Sequence, residues 1–222
     1  MSSNEITPAE LVELLFEAYP PLRLPRSIDS GKIERTAWTL FFDPSRGADG
    51  FFLTPSDEED TGERKVQANR SEASAALASS EPSFIAFAKA LKLLPPTAKA
   101  SNESKSRDAL IDHMDTELGV ISLLRRDDGF QLKLLLRSRG ETGRPARRGA
   151  SFSAPIDHAA LASKVMTGTA PLKAACELAP EMIQKLFPED RALNAEIAKE
   201  LLRREIPESP SKVTTPKKPN GI

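Results

Sequence analysis

The strongest fold signal in the chain lies at residues 120–136, VISLLRRDDGFQLKLLL. Two apolar runs flank the dipeptide Asp128-Gly129, which is typical of the two-residue turn between antiparallel strands. A turn at that dipeptide sets Leu123 opposite Leu134 on the facing strand. The alternation then predicts one apolar face, made of Ile121, Leu123, Leu132, Leu134 and Leu136. Because a two-stranded hairpin is not stable alone, we expect a helix or a second sheet to pack against this face.

A second, shorter hairpin is predicted nearer the N-terminus. Residues 33–42, IERTAWTLFF, alternate in part and place Trp38, Leu40 and Phe42 on one side. GFFLT at 50–54 is the second strand candidate. The connection DPSRGADG is rich in turn-forming residues, so it can close a hairpin between the two.

Helix signals surround the two hairpins. Thr7-Pro8-Ala9-Glu10 has the pattern of an N-terminal capping box with proline in the first turn, and leucines follow at helical spacing. Asp157 is a plausible N-cap for a later helix, and Pro180 predicts a break between two helical segments. The remaining helices are predicted at 82–94, 107–118, 157–166 and 188–205.

These patterns predict an α+β protein in which a small antiparallel sheet or two β-hairpins pack with helices, followed by a helical C-terminal part. Residues 1–54 hold the first helix and hairpin, and residues 82–206 hold a helix, the second hairpin and the C-terminal helices. We expect both parts to share one composite core, because the first part alone is near the lower size limit for an independent core. Each half reads as a helix followed by a hairpin, but residue identity between them is too low to predict a repeat.

Two segments have the composition of unstructured chain. Residues 55–81 contain only two large aliphatic side chains, so we predict a mobile acidic and polar linker there, with a helix at 68–78 as the alternative. Residues 207–222 are predicted to form a disordered basic tail.

Composition also indicates a compartment. The single cysteine, Cys176, excludes an internal disulfide, and the first twenty residues lack the pattern of a signal peptide. No stretch approaches the roughly 18–20 apolar residues that span a bilayer. The sequence therefore predicts a cytoplasmic protein without a membrane partner.

No motif specifies a reaction, so an enzyme is disfavoured and neither a cofactor nor a metal is expected. The chain lacks a phosphate-binding loop, a dinucleotide fingerprint and a nucleophile elbow. One acidic cluster is an alternative to the absence of a site, since it could form a metal or general-base site. It contains Asp112, His113, Asp115 and Glu117. On the predicted helix these side chains spread around the axis, whereas on a strand positions 113, 115 and 117 would share a face and could hold a divalent ion.

The charges of the chain are unevenly distributed. Residues 1–60 carry twelve acidic and five basic side chains, whereas residues 119–150 carry eight basic and three acidic ones. Most of the basic side chains lie in RSRGETGRPARRGAS at 137–151, directly after the second hairpin. The guanidinium group suits phosphate oxygens, so this loop is the candidate functional surface. The candidate contact residues are Lys133, Arg137, Arg139, Arg144, Arg147 and Arg148.

The tripeptide Gly143-Arg144-Pro145 resembles the core of the AT-hook, a short extended arm that enters the minor groove of A·T-rich DNA. The two residues before it, Glu141 and Thr142, stand where AT-hooks carry basic residues. The prediction that this loop contacts phosphates therefore depends on its positive charge more than on its resemblance to the AT-hook.

The sequence predicts a non-enzymatic protein that associates with nucleic acid and contacts phosphates through the arginine-rich loop at 137–148. The alternative is a protein–protein interaction module, such as an adaptor, assembly factor or inhibitor, whose loop meets an acidic partner. That partner could be the acidic N-terminal region of a second copy, which would make the protein a homo-oligomer. A third interpretation is a solvated connection with no partner.

Overall fold

The computed structural model describes residues 6–19, 24–56, 65–98, 108–116, 118–137 and 148–187. It confirms the α+β class, with two four-stranded antiparallel sheets packed with helices. The first helix is α1 (Pro8–Ala18). The first sheet contains β1 (Arg26–Ile33), β2 (Thr36–Phe42), β3 (Phe51–Pro55) and β4 (Val66–Gln67). Helices α2 (Arg70–Ala78) and α3 (Ser83–Ala90) follow it. The second sheet contains β5 (Ala109–Asp115), β6 (Gly119–Arg126), β7 (Gly129–Arg137) and β8 (Arg148–Ile156). The last described helices are α4 (His158–Met166), α5 (Pro171–Leu178) and α6 (Pro180–Gln184).

Several local predictions are confirmed. Thr7 and Glu10 form the capping box of α1, with the Thr7 hydroxyl accepting from the Glu10 amide. The Asp157 carboxylate caps α4 by accepting from the Ala160 amide, and helices α5 and α6 meet at Pro180. The first hairpin is formed by β2 and β3, which are joined by a short 3-10 helix over Pro44–Asp49.

The predicted turn of the second hairpin is wrong by one residue. Arg126 pairs with Gly129, so the turn residues are Asp127 and Asp128. Gly129, at φ +138°, takes a backbone conformation that other residues avoid as β7 begins. The resulting change of register is two residues, which leaves every side chain on its predicted face. The predicted inward residues Ile121, Leu123, Leu132 and Leu134 are fully buried.

The helix predicted at 107–118 is wrong, because the segment forms strand β5. It pairs antiparallel with β6, and a β-bulge shifts the register between Leu110 and Asp112. The extra residue, Ile111, interrupts the alternation of apolar and polar side chains, so the sequence lacks a strand period there. Pairing with β6 supplies the backbone hydrogen bonds that a helix would otherwise have made.

The linker predicted at 55–81 is corrected for its second half. Strand β4 and helix α2 lie within it, and α2 corresponds to the helix that was the alternative. Ala73 and Ala76 are buried where α2 packs on α4. Small side chains let two helices approach closely, so this helix needs few large aliphatic residues. Residues 57–64 lie outside the described residues.

The loop after the second hairpin is shorter than the sequence indicates, because strand β8 begins at Arg148. Residues 138–147 lie outside the described residues, and so do the helix predicted at 188–205 and the tail at 207–222.

The same ββββαα order of elements occurs twice in the described part of the chain, with α1 before the first unit and α6 after the second, and the sequence alone does not predict this. The N-terminal unit runs from β1 to α3 and the C-terminal unit from β5 to α5, with each sheet ordered sequentially. In both units the first strand has a bulge followed by an aspartate, at Asp29 and Asp112. The main-chain amide after each aspartate donates to its carboxylate at 2.8 Å.

Strand register makes the two units comparable residue by residue. Leu40 pairs with Leu53 in the first unit, and Leu123 pairs with Leu132 at the equivalent place in the second. The first helix of each unit is capped by a residue just after the fourth strand: Asn69, two residues after β4, caps α2, and Asp157, the residue after β8, caps α4. Buried side chains from both units form one contiguous hydrophobic cluster.

Candidate functional site

The candidate surface starts on β7, whose side chains alternate between the core and solvent. Leu132 and Leu134 are buried, whereas Lys133, Leu135 and Arg137 point outward and are exposed. Leu135 is 37% exposed, which is high for a large aliphatic side chain. The outward face of β7 thus presents two cations with a leucine between them.

Arg137 has a partner within the chain, because its Nη2 donates to Asp115 at the end of β5. The two side chains remain 51% and 54% exposed. An exposed ion pair of this kind contributes little to stability. The Arg137 guanidinium is therefore paired with Asp115, while about half of the side chain stays accessible to a ligand.

Of the other candidate arginines, Arg148 is the first residue of β8, and its Cα pairs with that of Arg137. The arginine-rich segment therefore leaves β7 and returns on the neighbouring strand at the same end of the sheet. Arg139, Arg144 and Arg147 lie outside the described residues.

A polar row crosses the solvent face of the second sheet at Lys133, which lies two outward positions before Arg137 on β7. His113 pairs with Ser122, Ser122 with Lys133, and Lys133 with Ser153. Directly opposite residues have Cβ atoms roughly 5 Å apart, so each side chain is adjacent to the next one along the row. We call these four residues the C-terminal row. Of this row the sequence predicts only Lys133 as a contact residue, since the other three are brought beside it by strand register.

One end of the C-terminal row is in contact with the N-terminal unit. Arg26, the first residue of β1, donates from its guanidinium to Nδ1 of His113 and forms an ion pair with Asp112 at 3.3 Å. Asp112 is only 5% exposed, and burial raises its pKa to about 7 against the opposing effect of Arg26. Near neutral pH, a part of the Asp112 carboxyl groups is therefore protonated, whereas an exposed aspartate is ionised.

The cluster considered as a metal site does not converge. Asp112 is buried on the core side, whereas His113 and Asp115 face outward and contact different arginines. Glu117 lies outside the described residues. Within the described ranges, no group of three or more His, Cys, Asp and Glu side chains is arranged to hold a metal ion.

Cys176 is fully buried in α5. Burial raises the pKa of the thiol well above its usual range, and the carboxylates of Asp112 and Glu177 raise it further. The thiol is therefore protonated, which is the unreactive form.

Arg125 is a buried cation that the sequence does not distinguish from its neighbour Arg126. Its guanidinium donates to the carbonyl of Ala76 at 3.3 Å and to those of Ser79 and Glu81, and it lies 5.2 Å from the Phe130 ring centroid. Burial lowers its pKa to about 10. This arginine joins the second sheet to the end of α2 and is not available to a ligand.

No protein-family model matches the chain, and no curated protein is significantly similar to it. In the part of the chain that the structure describes, every helix is too short or too polar to cross a membrane.

Proposed function

We propose that the protein binds nucleic acid by contacting backbone phosphates with the arginine-rich segment 137–148 and Lys133. The supporting observation is the position of the described cations. Lys133 and Arg137 are exposed on one face of β7, and Arg148 begins the adjacent strand. The segment between them contributes Arg139, Arg144 and Arg147, with Glu141 as its only acidic residue.

Phosphate contacts of this type bind without regard to base sequence and weaken steeply with salt, because bound cations displace condensed counterions. Stacking on bases has little support near the loop. Phe130 is buried, and Lys185 covers the Phe152 ring with its Nζ at 4.9 Å from the centroid. We therefore expect duplex to bind at least as tightly as a single strand.

The test is a titration of labelled duplex and single-stranded DNA and RNA across a salt series. One variant replaces Arg144, Arg147 and Arg148 with alanine. The matched control removes three exposed cations outside the second sheet, Lys32 and Arg35 in the N-terminal unit and Lys92 just after α3. For duplex, the slope of log K against log salt should fall by about 0.9 for each of the three loop arginines that touches a phosphate in the wild type.

Two outcomes would overturn the proposal. The wild type shows no binding at low salt, or the loop variant and the control keep the same salt slope. The first excludes a nucleic-acid ligand, and the second excludes the loop as its site.

A second function, docking of an acidic protein, is favoured by exposed apolar side chains on the same face. Leu135 lies between Lys133 and Arg137, with Val120 beside it on β6 and half-buried. Phosphates do not require an apolar contact, whereas protein interfaces do. Leu135→Ser should then abolish binding of an acidic partner, including self-association measured by sedimentation velocity, and leave duplex binding unchanged.

A further inference from the structure

The two units carry equivalent polar rows on their solvent faces. The C-terminal row contains His113, Ser122, Lys133 and Ser153. At the equivalent positions the N-terminal unit has Ser30, Thr39 and Thr54, followed by Lys65 directly before β4. Each row therefore combines hydroxyl groups with one lysine and contains no carboxylate.

The rows beside the C-terminal row differ in chemistry. On one side the register aligns Asp115, Val120, Leu135 and Ser151. On the other side it aligns Leu110, Leu124, Gln131 and Pro155. Each adjacent row contributes one uncharged donor side chain, Ser151 or Gln131, whereas the C-terminal row contains four donor side chains and the only lysine of the three rows. The two carboxylates beside the row are both engaged by arginines, Asp112 by Arg26 and Asp115 by Arg137.

The C-terminal row presents mainly donors to solvent. Lys133 offers an ammonium group, and Ser122 and Ser153 each offer a hydroxyl. Because Nδ1 of His113 accepts from Arg26, the proton of the neutral imidazole lies on Nε2, which is then a donor as well. Arg26, at that end of the row, is paired with Asp112 at 3.3 Å, so the net positive charge of the row comes from Lys133. A set of donors with net positive charge favours an oxyanion.

The donors of the two rows differ in availability. In the N-terminal row, the Lys65 Nζ lies 3.6 Å from the centroid of the Phe52 ring, and the Thr39 hydroxyl is within hydrogen-bond distance of Ser56. Over the ranges that the structure describes, the side chains of Ser122, Lys133 and Ser153 make no hydrogen bond or ion pair. The C-terminal row is therefore the row whose donors are available to an external ligand.

We propose that the C-terminal row contains an oxyanion subsite that binds one phosphate group, with Lys133 as its charged ligand and Ser122 and His113 as hydrogen-bond donors. Neighbouring strands lie about 4.8 Å apart, so a phosphate above Ser122 is within reach of the longer side chains of Lys133 and His113 on either side, whereas the short side chain of Ser153 only borders the site. The assignment of this phosphate to a nucleic-acid backbone rests on the proposed function. It is supported by the position of the arginine-rich segment, which begins at Arg137 on the same strand as Lys133. The chemistry itself is that of any phosphate monoester, diester or free phosphate.

The first arm of the test is an NMR titration of the full chain with inorganic phosphate, compared with sodium chloride at equal ionic strength. Saturable shifts are expected at the amides of Ser122, Lys133 and Ser153 and at the His113 imidazole. Lys133→Ala should weaken phosphate binding at least tenfold. The control Gln131→Ala, on the same face of β7 but in the next row, should leave it unchanged.

The second arm repeats the titration with a short DNA duplex. Shifts in the row with both ligands, each weakened by Lys133→Ala but not by Gln131→Ala, support a backbone phosphate at the subsite. Shifts with inorganic phosphate alone overturn the assignment to nucleic acid and identify a free-phosphate site.

Failure of the subsite is distinguishable from failure of the proposed function. If duplex binding is lost in the arginine-loop variant but unaffected by Lys133→Ala, the loop contacts nucleic acid and the row does not. If neither phosphate nor duplex shifts the row, or if Gln131→Ala and Lys133→Ala behave alike, the subsite is excluded. The spectra also report whether each variant keeps the wild-type fold.

Discussion

Arg26 of β1 and Asp112 of β5 form an ion pair at 3.3 Å that joins the two ββββαα units. Asp112 is buried on the core side of the second sheet, and Arg26 also donates to His113 on the outward side. The equivalent aspartate of the N-terminal unit, Asp29, instead accepts from the amide of Phe84 at the start of α3 at 2.9 Å. The aspartate at this strand position thus binds helix α3 in the N-terminal unit, whereas in the C-terminal unit it binds the first strand of the N-terminal unit.

Asp112 should make the stability of the protein depend on pH. Burial raises its pKa in the folded state to about 7, above the roughly 3.9 of an unfolded aspartate. This group's contribution is complete below the unfolded pKa and is lost as pH rises towards 7, by up to roughly 4 kcal/mol. Urea denaturation between pH 4 and 8 measures it. Asp112→Asn should flatten the decline, and Asp115→Asn, which alters an exposed carboxylate, should leave it intact. Equal pH profiles for Asp112→Asn and the wild type would contradict the assignment.

Replacing Arg125 should be costly because its guanidinium hydrogen-bonds three main-chain carbonyls. Arg125→Ala leaves those carbonyls without their donor and creates a cavity beside Phe130, so we expect a loss of about 3 kcal/mol in the free energy of unfolding. Arg126→Ala removes an exposed ion pair with Asp108 and should cost under about 1 kcal/mol. Chemical denaturation of both variants measures the difference, and equal losses would refute the role given to Arg125.

Asp115 should restrain nucleic-acid binding, since it occupies part of the Arg137 guanidinium. Asp115→Asn removes a negative charge from the candidate surface, so duplex affinity should rise severalfold at low salt and the increase should shrink as salt is added. Arg137→Ala should lower affinity and reduce the salt slope by about 0.9. Fluorescence anisotropy across the salt series reports both changes. A fall in affinity on Asp115→Asn would argue against phosphate contact at this end of the sheet.

Cys176 should be unreactive in the folded protein. The thiol is fully buried and its pKa is raised by burial, so the thiolate that attacks disulfide reagents is scarce. Reaction with an aromatic disulfide at pH 8 should be at least about 100-fold slower in buffer than in 6 M guanidinium chloride, a denaturant in which the thiol becomes exposed. Rapid labelling under native conditions would show that α5 opens readily from the second sheet.

The local sequence determined those elements whose signals are complete within a few residues. The capping box of Thr7 and Glu10 predicts the start of α1, and Asp157 predicts the start of α4. The inward face of the β6–β7 hairpin was also predictable, even with the turn misplaced by one residue, because a two-residue change of register does not exchange the faces.

Only the tertiary structure decided the rest. Strand β5 has no strand period in its sequence because the bulge at Ile111 breaks it, and pairing with β6 determines its conformation. Helix α2 has few large apolar side chains, and its contact with α4 stabilises it. The C-terminal row joins His113 to Ser153, which lie far apart in sequence, because strand register brings distant residues together and no local pattern contains that pairing.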